Sequence, residues 1–178
     1  MGDWKMMLSY RGGTLLDSAI ENAKTICQRV ILVGGYRYDE LKAHYQNDAT
    51  LRLLYNPSYQ DGLLSSIKIG LAEIKTDYFF IAHGDMPCLY PRFYELLSHH
   101  IGYTAVFPGT KKMSGHPVLL SKTIIPAVLE APCGSTMQEI IVKTGNFYYI
   151  GLTDPFILCD IDTPESYKAL LNIATSIK

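Results

Sequence analysis

Apolar residues recur along this chain in two alternating patterns, short continuous runs and longer stretches in which every third or fourth position is apolar. Continuous runs are typical of buried strands, and the longer spacing is typical of amphipathic helices. The second pattern predicts helices over residues 14–28, 39–45, 63–74, 91–99, 122–129, 135–144 and 164–177. The first predicts strands over residues 29–33, 51–55, 78–82, 105–107, 118–120, 147–151 and 157–159.

The alternation of strands and helices indicates an α/β fold in which helices cover a parallel sheet. We find no internal repeat, low-complexity tract or linker within the 178 residues. Hydrophobic residues make up 48% of the chain and charged residues 19%, which is ordinary for a globular domain with its own core. We therefore expect a single domain over residues 1–178.

Charge and cysteine content argue against several classes of protein. A net charge of −1 argues against a nucleic-acid polymer as partner, because such binding depends on clustered Lys and Arg. We expect no membrane span and no signal peptide, because apolar runs of the required length are missing. The four cysteines form no CxxC pair, which favours reduced thiols in a cytoplasmic protein over a redox or metal centre.

The first candidate site follows the apolar strand that ends near Ala82 and continues as His83, Gly84 and Asp85. Ligands of open α/β sheets bind outside the carboxyl ends of the strands, so an Asp just past such a strand points to the binding crevice. Its carboxylate can hold Mg²⁺, which prefers oxygen ligands, and Gly84 lets the backbone approach closely. The alternative is that Asp85 only ends the strand and caps a turn.

A second acidic segment, with Asp160 and Asp162, stands between a short apolar run and the last predicted helix. One carboxylate can reach a metal while the other caps the helix or orders the loop. The alternative is a plain helix cap provided by Asp162 or Thr163. Two Asp-bearing strand ends in one small domain favour a shared metal site, provided that the two segments meet.

Three further segments carry weaker signals. The loop from Asn56 through Gly62 to Ser65 leads into a helix whose free N–H groups suit an anionic ligand, although ordinary helix junctions look the same. His116, in Ser-Gly-His-Pro, contacts either a ligand or the backbone. Lys5 offers a point charge for phosphates, or is simply a solvated lysine near the start of the chain.

Taken in order, these segments resemble the molybdenum cofactor nucleotidyltransferases, and the cytidylyltransferase branch most closely. The resemblance covers nearly the whole chain, and the ordered set is specific although each short motif is not. The matching segments are Met1-Gly2-Asp3-Trp4-Lys5-Met6-Met7-Leu8, Gly13-Thr14-Leu15-Leu16-Asp17, Ile31-Leu32-Val33-Gly34-Gly35-Tyr36-Arg37, Asn56-Pro57 with Gly62-Leu63-Leu64-Ser65-Ser66, His83-Gly84-Asp85-Met86-Pro87, Gly115-His116-Pro117-Val118, and Asp160-Ile161-Asp162-Thr163-Pro164.

The resemblance implies a Rossmann-like, three-layer α/β fold with a mostly parallel sheet, and a Mg²⁺-dependent transfer of CMP from CTP to molybdopterin cofactor with release of pyrophosphate. Mg²⁺ would bridge phosphate oxygens and offset their developing charge. A molybdenum hydroxylase would be the recipient of the product.

The implied catalytic residues are Lys5, Asp85 and Asp160. The implied nucleotide-binding residues are Lys5, Asn56, Gly62, Ser65, Gly84 and Asp85. The implied contacts to the second substrate are Met86, Pro87, Gly115, His116 and Pro117. The implied metal ligands are Asp85, Asp160 and Asp162.

The start of the chain departs from the family pattern, since Met1-Gly2 matches the last two residues of the family's phosphate loop. We therefore expect a sheet without its first strand, and weak CTP turnover or none. Two alternatives follow. The chain could be a non-catalytic carrier of molybdenum cofactor for a molybdenum hydroxylase, or a nucleotidyltransferase for a sugar or alcohol phosphate, since this fold serves several substrates.

Overall fold

The computed structural model describes residues 4–176, with side chains described as far as residue 173. The helices in this range are α1 (Leu15–Lys24), α2 (Tyr38–Tyr45), α3 (Leu63–Leu71), α4 (Pro91–Ser98), α5 (Ile125–Glu130), α6 (Met137–Thr144) and α7 (Pro164–Ser176). The strands are β1 (Ser9–Tyr10), β2 (Gly13–Thr14), β3 (Val30–Gly34), β4 (Leu51–Tyr55), β5 (Tyr78–Ile81), β6 (Ala105–Phe107), β7 (Val118–Ser121) and β8 (Phe147–Tyr149). Short 3₁₀ helices cover Lys5–Met7, Tyr59–Asp61, Lys122–Ile124 and Pro155–Leu158.

The strands form a parallel pair and a mixed four-stranded sheet. β3 and β4 pair in parallel from Val30 opposite Leu51 to Gly34 opposite Tyr55. The larger sheet has the order β5-β7-β6-β8. β7 runs against β5 and β6, whereas β8 is parallel to β6, so β5, β6 and β8 share one direction. The predicted α/β fold is confirmed, and the predicted mostly parallel sheet is met only in part because β7 runs against its neighbours.

One predicted strand is wrong, and several boundaries differ. Residues 157–159 were expected as a strand, but Pro155–Leu158 is a 3₁₀ helix whose first turn is capped by Asp154, which accepts from Phe156 N–H at 3.0 Å. Helix α1 ends at Lys24 rather than residue 28. The segment before α1 contains an unpredicted hairpin, β1 with β2, whose two turn residues, Arg11 and Gly12, both have positive φ.

Helix α1 begins with a capping box and buries the apolar face that its spacing predicts. Thr14 Oγ1 accepts from Asp17 N–H at 3.0 Å, while Thr14 N–H donates to the Asp17 carboxylate at 2.8 Å. This satisfies backbone groups that a helix start otherwise leaves without partners. Buried Leu15 lies in one apolar cluster with Ile161, which is fully buried. The start of α1 is thus packed against the second acidic segment.

Other expectations concern membranes, thiols and the first strand. No helix within residues 4–176 combines the length and apolar character that a bilayer crossing needs. Cys27, Cys88, Cys133 and Cys159 are all free thiols. The expected loss of the first strand and phosphate loop was inferred at Met1 and Gly2, which lie outside the described residues, so it stays a prediction.

Candidate active site

Asp85 lies in the loop after β5, and the buried run that follows it fixes this loop. Met86 and Leu89 are at most 3% exposed, which anchors the stretch in the core. The amide of Met86 donates to the carbonyl of His83 at 3.3 Å and turns the chain at Asp85. The N–H of Ile161 donates to the carbonyl of Asp85 at 3.1 Å. This backbone hydrogen bond brings the two Asp-bearing segments side by side.

Gly84 allows a third segment to reach the same place. A Cβ at Gly84 would lie 2.8 Å from Leu16 Cδ1 and 3.3 Å from Met6 Sδ, so only a glycine fits without displacement of these side chains. The 3₁₀ helix that contains Met6 also contains Lys5. The predicted close backbone approach at Gly84 therefore serves contact between the strand end and the Lys5 segment.

Lys5 lies between carboxylates from both acidic segments. Its Nζ donates to Asp85 Oδ2 at 2.7 Å and also to Asp162 Oδ1. The side chains of Lys5 and Asp85 are 31% and 19% exposed, and that of Asp162 is 60% exposed. Burial alone would lower the pKa of Lys5, but hydrogen bonds and charges from Asp162 and Asp85 outweigh it and raise that pKa. Lys5 is therefore a paired cation, and not a freely solvated lysine.

Asp160 adds a further negative charge to this group, which we call the Lys5 cluster (Lys5, Asp85, Asp160 and Asp162). Partial burial, a hydrogen bond with Asp162 and nearby negative charge raise the pKa of Asp160. The pKa of Asp162 is lowered, mainly by its hydrogen bond and charge interaction with Lys5. The cluster thus holds three carboxyl groups and one ammonium group, so negative charge is in excess.

The expectation that Asp160 or Asp162 caps the last helix is wrong, whereas a metal role for either of them stays a prediction. Residues two apart on an extended segment share a face, and fully buried Ile161 between them turns both carboxylates away from the core. Helix α7 is instead capped by Thr163, whose Oγ1 accepts from Ser166 N–H at 3.1 Å. The side chains of Asp160 and Asp162 are therefore not used to cap this helix.

The carboxylates of the Lys5 cluster are suitable ligands for a divalent cation, but they are not arranged around a common metal position. Asp85 Oδ1 is buried and has no hydrogen-bond partner, which is costly unless a cation or donor reaches it. Carboxylate oxygens are the ligands that Mg²⁺ and Mn²⁺ favour. Within residues 4–176, however, no three His, Cys, Asp or Glu side chains already converge around a metal position. The donors fit a hard cation, and Lys5 lies where two of them meet.

The loop from Asn56 to Ser65 is held in its conformation by hydrogen bonds of its own side chains. Asn56 is fully buried, and its Nδ2 donates to Ser65 Oγ at 2.8 Å and to Ser66 Oγ at 2.9 Å. Its Oδ1 accepts from Ser58 N–H at 2.9 Å. Gly62 has φ +95°, a conformation that favours glycine, and is the N-terminal cap residue of α3. The side chains of Asn56 and Ser65 therefore hold the loop in shape through hydrogen bonds within the loop and to the first turn of α3.

A cleft of about 400 Å³ lies beside the Lys5 cluster and is lined by Asp160, His83 and His116, among others. The two imidazole rings are 4.1 Å apart between centroids and tilted by 38°. Burial, followed by the neighbouring His83, lowers the pKa of His116 to about 4, so its ring is neutral at pH 7. The backbone N–H of His116 donates to the backbone carbonyl of Ile157 at 2.8 Å, which fixes this side of the cleft. We call this the two-histidine cleft.

The predicted substrate contacts divide into two groups in this cleft. Met86, Gly115 and His116 line it, whereas Pro87 and Pro117 are buried and shape the backbone beside it. Gly115 has φ +69°, and a Cβ there would lie 2.9 Å from the Ile157 carbonyl oxygen. Six further residues line the cleft that had no predicted role as substrate contacts: His83, Lys112, Met113, Ser114, Ile157 and Leu158. Two of them carried a signal in the sequence, since His83 lies two residues before Asp85 and Ser114 lies two residues before His116.

The sequence of the chain decides the family. The family model for the MobA-like NTP transferase domain matches residues 1–146. The chain belongs to this family. A molybdenum cofactor cytidylyltransferase of Escherichia coli is 36% identical over 167 residues, which are 94% of this chain and 86% of that protein. The resemblance drawn from the ordered motifs is confirmed, as is the predicted enzyme class of nucleotidyltransferase.

Solved structures agree on the fold of this MobA-like chain. A nucleotidyl transferase from Methanothermobacter superposes with a TM-score of 0.85 at 18% identity, covering 98% of this chain and 86% of the other. A Mycobacterium tuberculosis protein, solved in complex with manganese, superposes with a TM-score of 0.72 at 20% identity, covering 94% of this chain and 91% of the other. At these identities the likeness concerns the fold alone.

Proposed function

We propose that this chain transfers CMP from CTP to the phosphate of molybdopterin cofactor and releases pyrophosphate. The observation that carries the proposal is the position of Asp160, which belongs to the Lys5 cluster and also lines the two-histidine cleft. A charged cluster suited to a metal nucleotide thus adjoins a cleft within the size range of small-molecule sites. The 36% identity to the Escherichia coli molybdenum cofactor cytidylyltransferase supports the choice of substrates.

On the nucleotide side, Lys5 and Asp85 are the proposed principal residues. Lys5 Nζ, 2.7 Å from Asp85 Oδ2, can turn to the phosphates of CTP as a point charge. Gly84 keeps the backbone close to the Lys5 segment. We assign the loop with Asn56, Gly62 and Ser65 to the base and sugar. Since the side chains of Asn56 and Ser65 are hydrogen-bonded to each other, the contact with the base and sugar would come from the loop backbone.

Asp85 with Asp160 or Asp162 would hold a divalent metal, which we propose to be Mg²⁺. The unpartnered, buried Asp85 Oδ1 and the excess of carboxylates support this assignment. The related fold solved with manganese supports the use of a divalent cation in general. When bound, such a cation offsets the charge that develops on the α-phosphate and the pyrophosphate. The carboxylates themselves orient it and neutralise part of its charge.

The acceptor would occupy the two-histidine cleft. At pH 7 the neutral ring of His116 presents no charge to the acceptor, because burial lowers its pKa to about 4. Met113 and Leu158 are exposed apolar side chains at the same cleft, which suits a flat heterocycle. In the transfer, an oxygen of the acceptor phosphate attacks the α-phosphorus of CTP. The bond between that phosphorus and the pyrophosphate oxygen breaks, and pyrophosphate leaves.

The decisive experiment supplies molybdopterin cofactor and Mg²⁺ with either CTP or GTP, and measures pyrophosphate release and the dinucleotide by mass spectrometry. We expect a cytidine dinucleotide with CTP. Product with GTP alone would reassign the nucleotide. Bound cofactor without turnover would favour the carrier function, and turnover with only a sugar or alcohol phosphate would replace the acceptor. Delivery to a molybdenum hydroxylase and a cytoplasmic location stay predictions.

A further inference from the structure

The ammonium group of Lys5 occupies the meeting point of two proposed metal ligands. Lys5 Nζ contacts Asp85 Oδ2 at 2.7 Å and also contacts Asp162 Oδ1. A divalent cation that used these same oxygens would lie within a few ångströms of a positive charge. At such distances two cations repel strongly, above all where side chains exclude water. Lys5 and a metal ion therefore compete for the carboxylates.

Lys5 can leave this position without a change in the backbone. The 3₁₀ helix Lys5–Met7 is held by its apolar side chains, since Met6 and Met7 pack against buried Leu16 and its neighbours. The four-carbon stem of a lysine is flexible and ends in a compact charge, so the side chain can swing while its helix stays. The phosphates of a nucleotide, several negative charges at once, are the groups that would draw it away.

Resting on the proposed function, we propose that Lys5 is a placeholder cation that keeps divalent metal from the Asp85–Asp162 pair until nucleotide phosphates draw its ammonium group away. Metal and nucleotide then bind cooperatively. By thermodynamic linkage, the factor by which nucleotide tightens metal binding equals the factor by which metal tightens nucleotide binding. Lys5 thus acts as a positioning residue that couples the two ligands, in addition to any contact it makes with phosphate.

Lys24 supplies a matched control for this inference. Its Nζ also lies between two carboxylates, 2.5 Å from Asp48 Oδ2 and 3.0 Å from Glu21 Oε1, and its side chain is 20% exposed. Both lysines can be replaced by methionine, which keeps the length of the stem and removes the charge. The Lys24→Met variant shows how Mn²⁺ binding changes when a lysine between two carboxylates is lost away from the proposed metal site.

The experiment measures binding of Mn²⁺ alone by the decrease of its free electron paramagnetic resonance signal, for the unmodified chain, Lys5→Met and Lys24→Met. We expect Lys5→Met to bind Mn²⁺ about tenfold more tightly than the unmodified chain, an effect of the size that allosteric couplings reach. Lys24→Met should match the unmodified chain. Addition of a non-hydrolysable CTP analogue should tighten Mn²⁺ binding by the unmodified chain and much less by Lys5→Met.

Equal or weaker Mn²⁺ binding by Lys5→Met would overturn the placeholder role while leaving the metal site and the proposed function standing. If no variant binds Mn²⁺, with or without the nucleotide analogue, the proposed metal site fails as well. Lys5→Arg keeps the charge and should retain the weak Mn²⁺ binding of the unmodified chain, so it tests the inference even if Lys5→Met folds poorly. Asp85→Asn in the Lys5→Met background should abolish the gain.

Discussion

Lys5 and Lys24 each lie between two carboxylates, yet the surroundings of the two ammonium groups differ. At Lys24 the partner Asp48 is fully engaged, because its second oxygen accepts from Thr50 N–H at 3.0 Å and from the Thr50 hydroxyl at 2.6 Å. Its pKa is accordingly lowered to about 2, by Lys24 first and Thr50 next. At Lys5 a buried oxygen of Asp85 has no partner.

The difference separates a structural ion pair from a site that is prepared for a ligand. In the Lys24 group (Lys24, Glu21 and Asp48), both oxygens of Asp48 have partners, and Lys24 ties the end of α1 to the turn before β4. The Lys5 cluster includes a further carboxyl group, Asp160, whose pKa is raised. Both groups shift the pKa values of their members, but only the Lys5 cluster adjoins a cleft and leaves a buried carboxylate oxygen unpaired, which makes it the candidate functional site. The same lysine–carboxylate contact thus serves stability in one place and, on our proposal, catalysis in the other.

The largest expected effect comes from neutralising one carboxylate in each group. Asp85→Asn should lower kcat/KM for CMP transfer by about 100- to 1000-fold, as loss of a central electrostatic group does. Asp48→Asn should leave kcat/KM within about twofold, because surface changes away from the site have small effects. Steady-state pyrophosphate release measures both. Equal losses in the two variants would abolish the distinction.

A second prediction extends the comparison to the two-histidine cleft. Gly115→Ala should raise KM for molybdopterin about tenfold and leave KM for CTP nearly unchanged, because its Cβ would meet Ile157 at 2.9 Å. Gly134 also has a positive φ, +89°, but a Cβ there would meet nothing within 4 Å. Gly134→Ala therefore controls for backbone strain alone, which costs about 1–2 kcal/mol. A rise in both KM values for Gly115→Ala would argue against an acceptor cleft.

The Lys5 cluster and the two-histidine cleft show how much of the site could be predicted from the sequence. The position of Asp85 followed from its place after an apolar strand, and the structure puts it at such a strand end. The pairing of Lys5 with Asp85 and Asp162 spans 80 and 157 residues, and no local pattern encodes a contact between such distant segments. The cleft residues Met113 and Leu158 were missed for the same reason.

The fold was predicted better than its irregular parts. Helix α1 and its buried face followed from apolar spacing, which is a local signal. The expected strand at residues 157–159 failed, because a short apolar run does not distinguish a strand from a turn that Asp154 caps ahead of Pro155. The antiparallel direction of β7 also depends on contacts between distant segments.

A third prediction concerns stability and pH at the Lys24 group. Asp48→Asn should lower Tm at pH 7 by about 2–4 °C, for a loss of about 1 kcal/mol of hydrogen bonding and ion pairing. The folded pKa of Asp48, about 2, lies below its usual 3.8. Its contribution is therefore present above pH 4 and is lost as the pH falls towards 2. Thermal unfolding from pH 2 to 7 should show this loss in the unmodified chain and not in the variant.

The smallest expected effect is of opposite sign and belongs to the Lys5 cluster. The folded pKa of Asp160 is raised above 3.8, so its contribution to stability is full below pH 3.8 and declines as the pH rises through the folded pKa. Asp160→Asn should therefore raise Tm at pH 7, by about 1 °C for an exposed group. A fall in Tm at pH 7 would mean that Asp160 is a stabilising partner rather than an excess charge.

Calorimetric titration of Mg²⁺ with a non-hydrolysable CTP analogue into the unmodified chain, Asp85→Asn and Asp48→Asn tests directly whether the Lys5 cluster binds the metal nucleotide. We expect the unmodified chain and Asp48→Asn to bind with the same dissociation constant, and Asp85→Asn to bind at least about tenfold more weakly. Equal binding by all three chains would mean that the Lys5 cluster is a structural ion pair like the Lys24 group, and that the nucleotide site lies elsewhere.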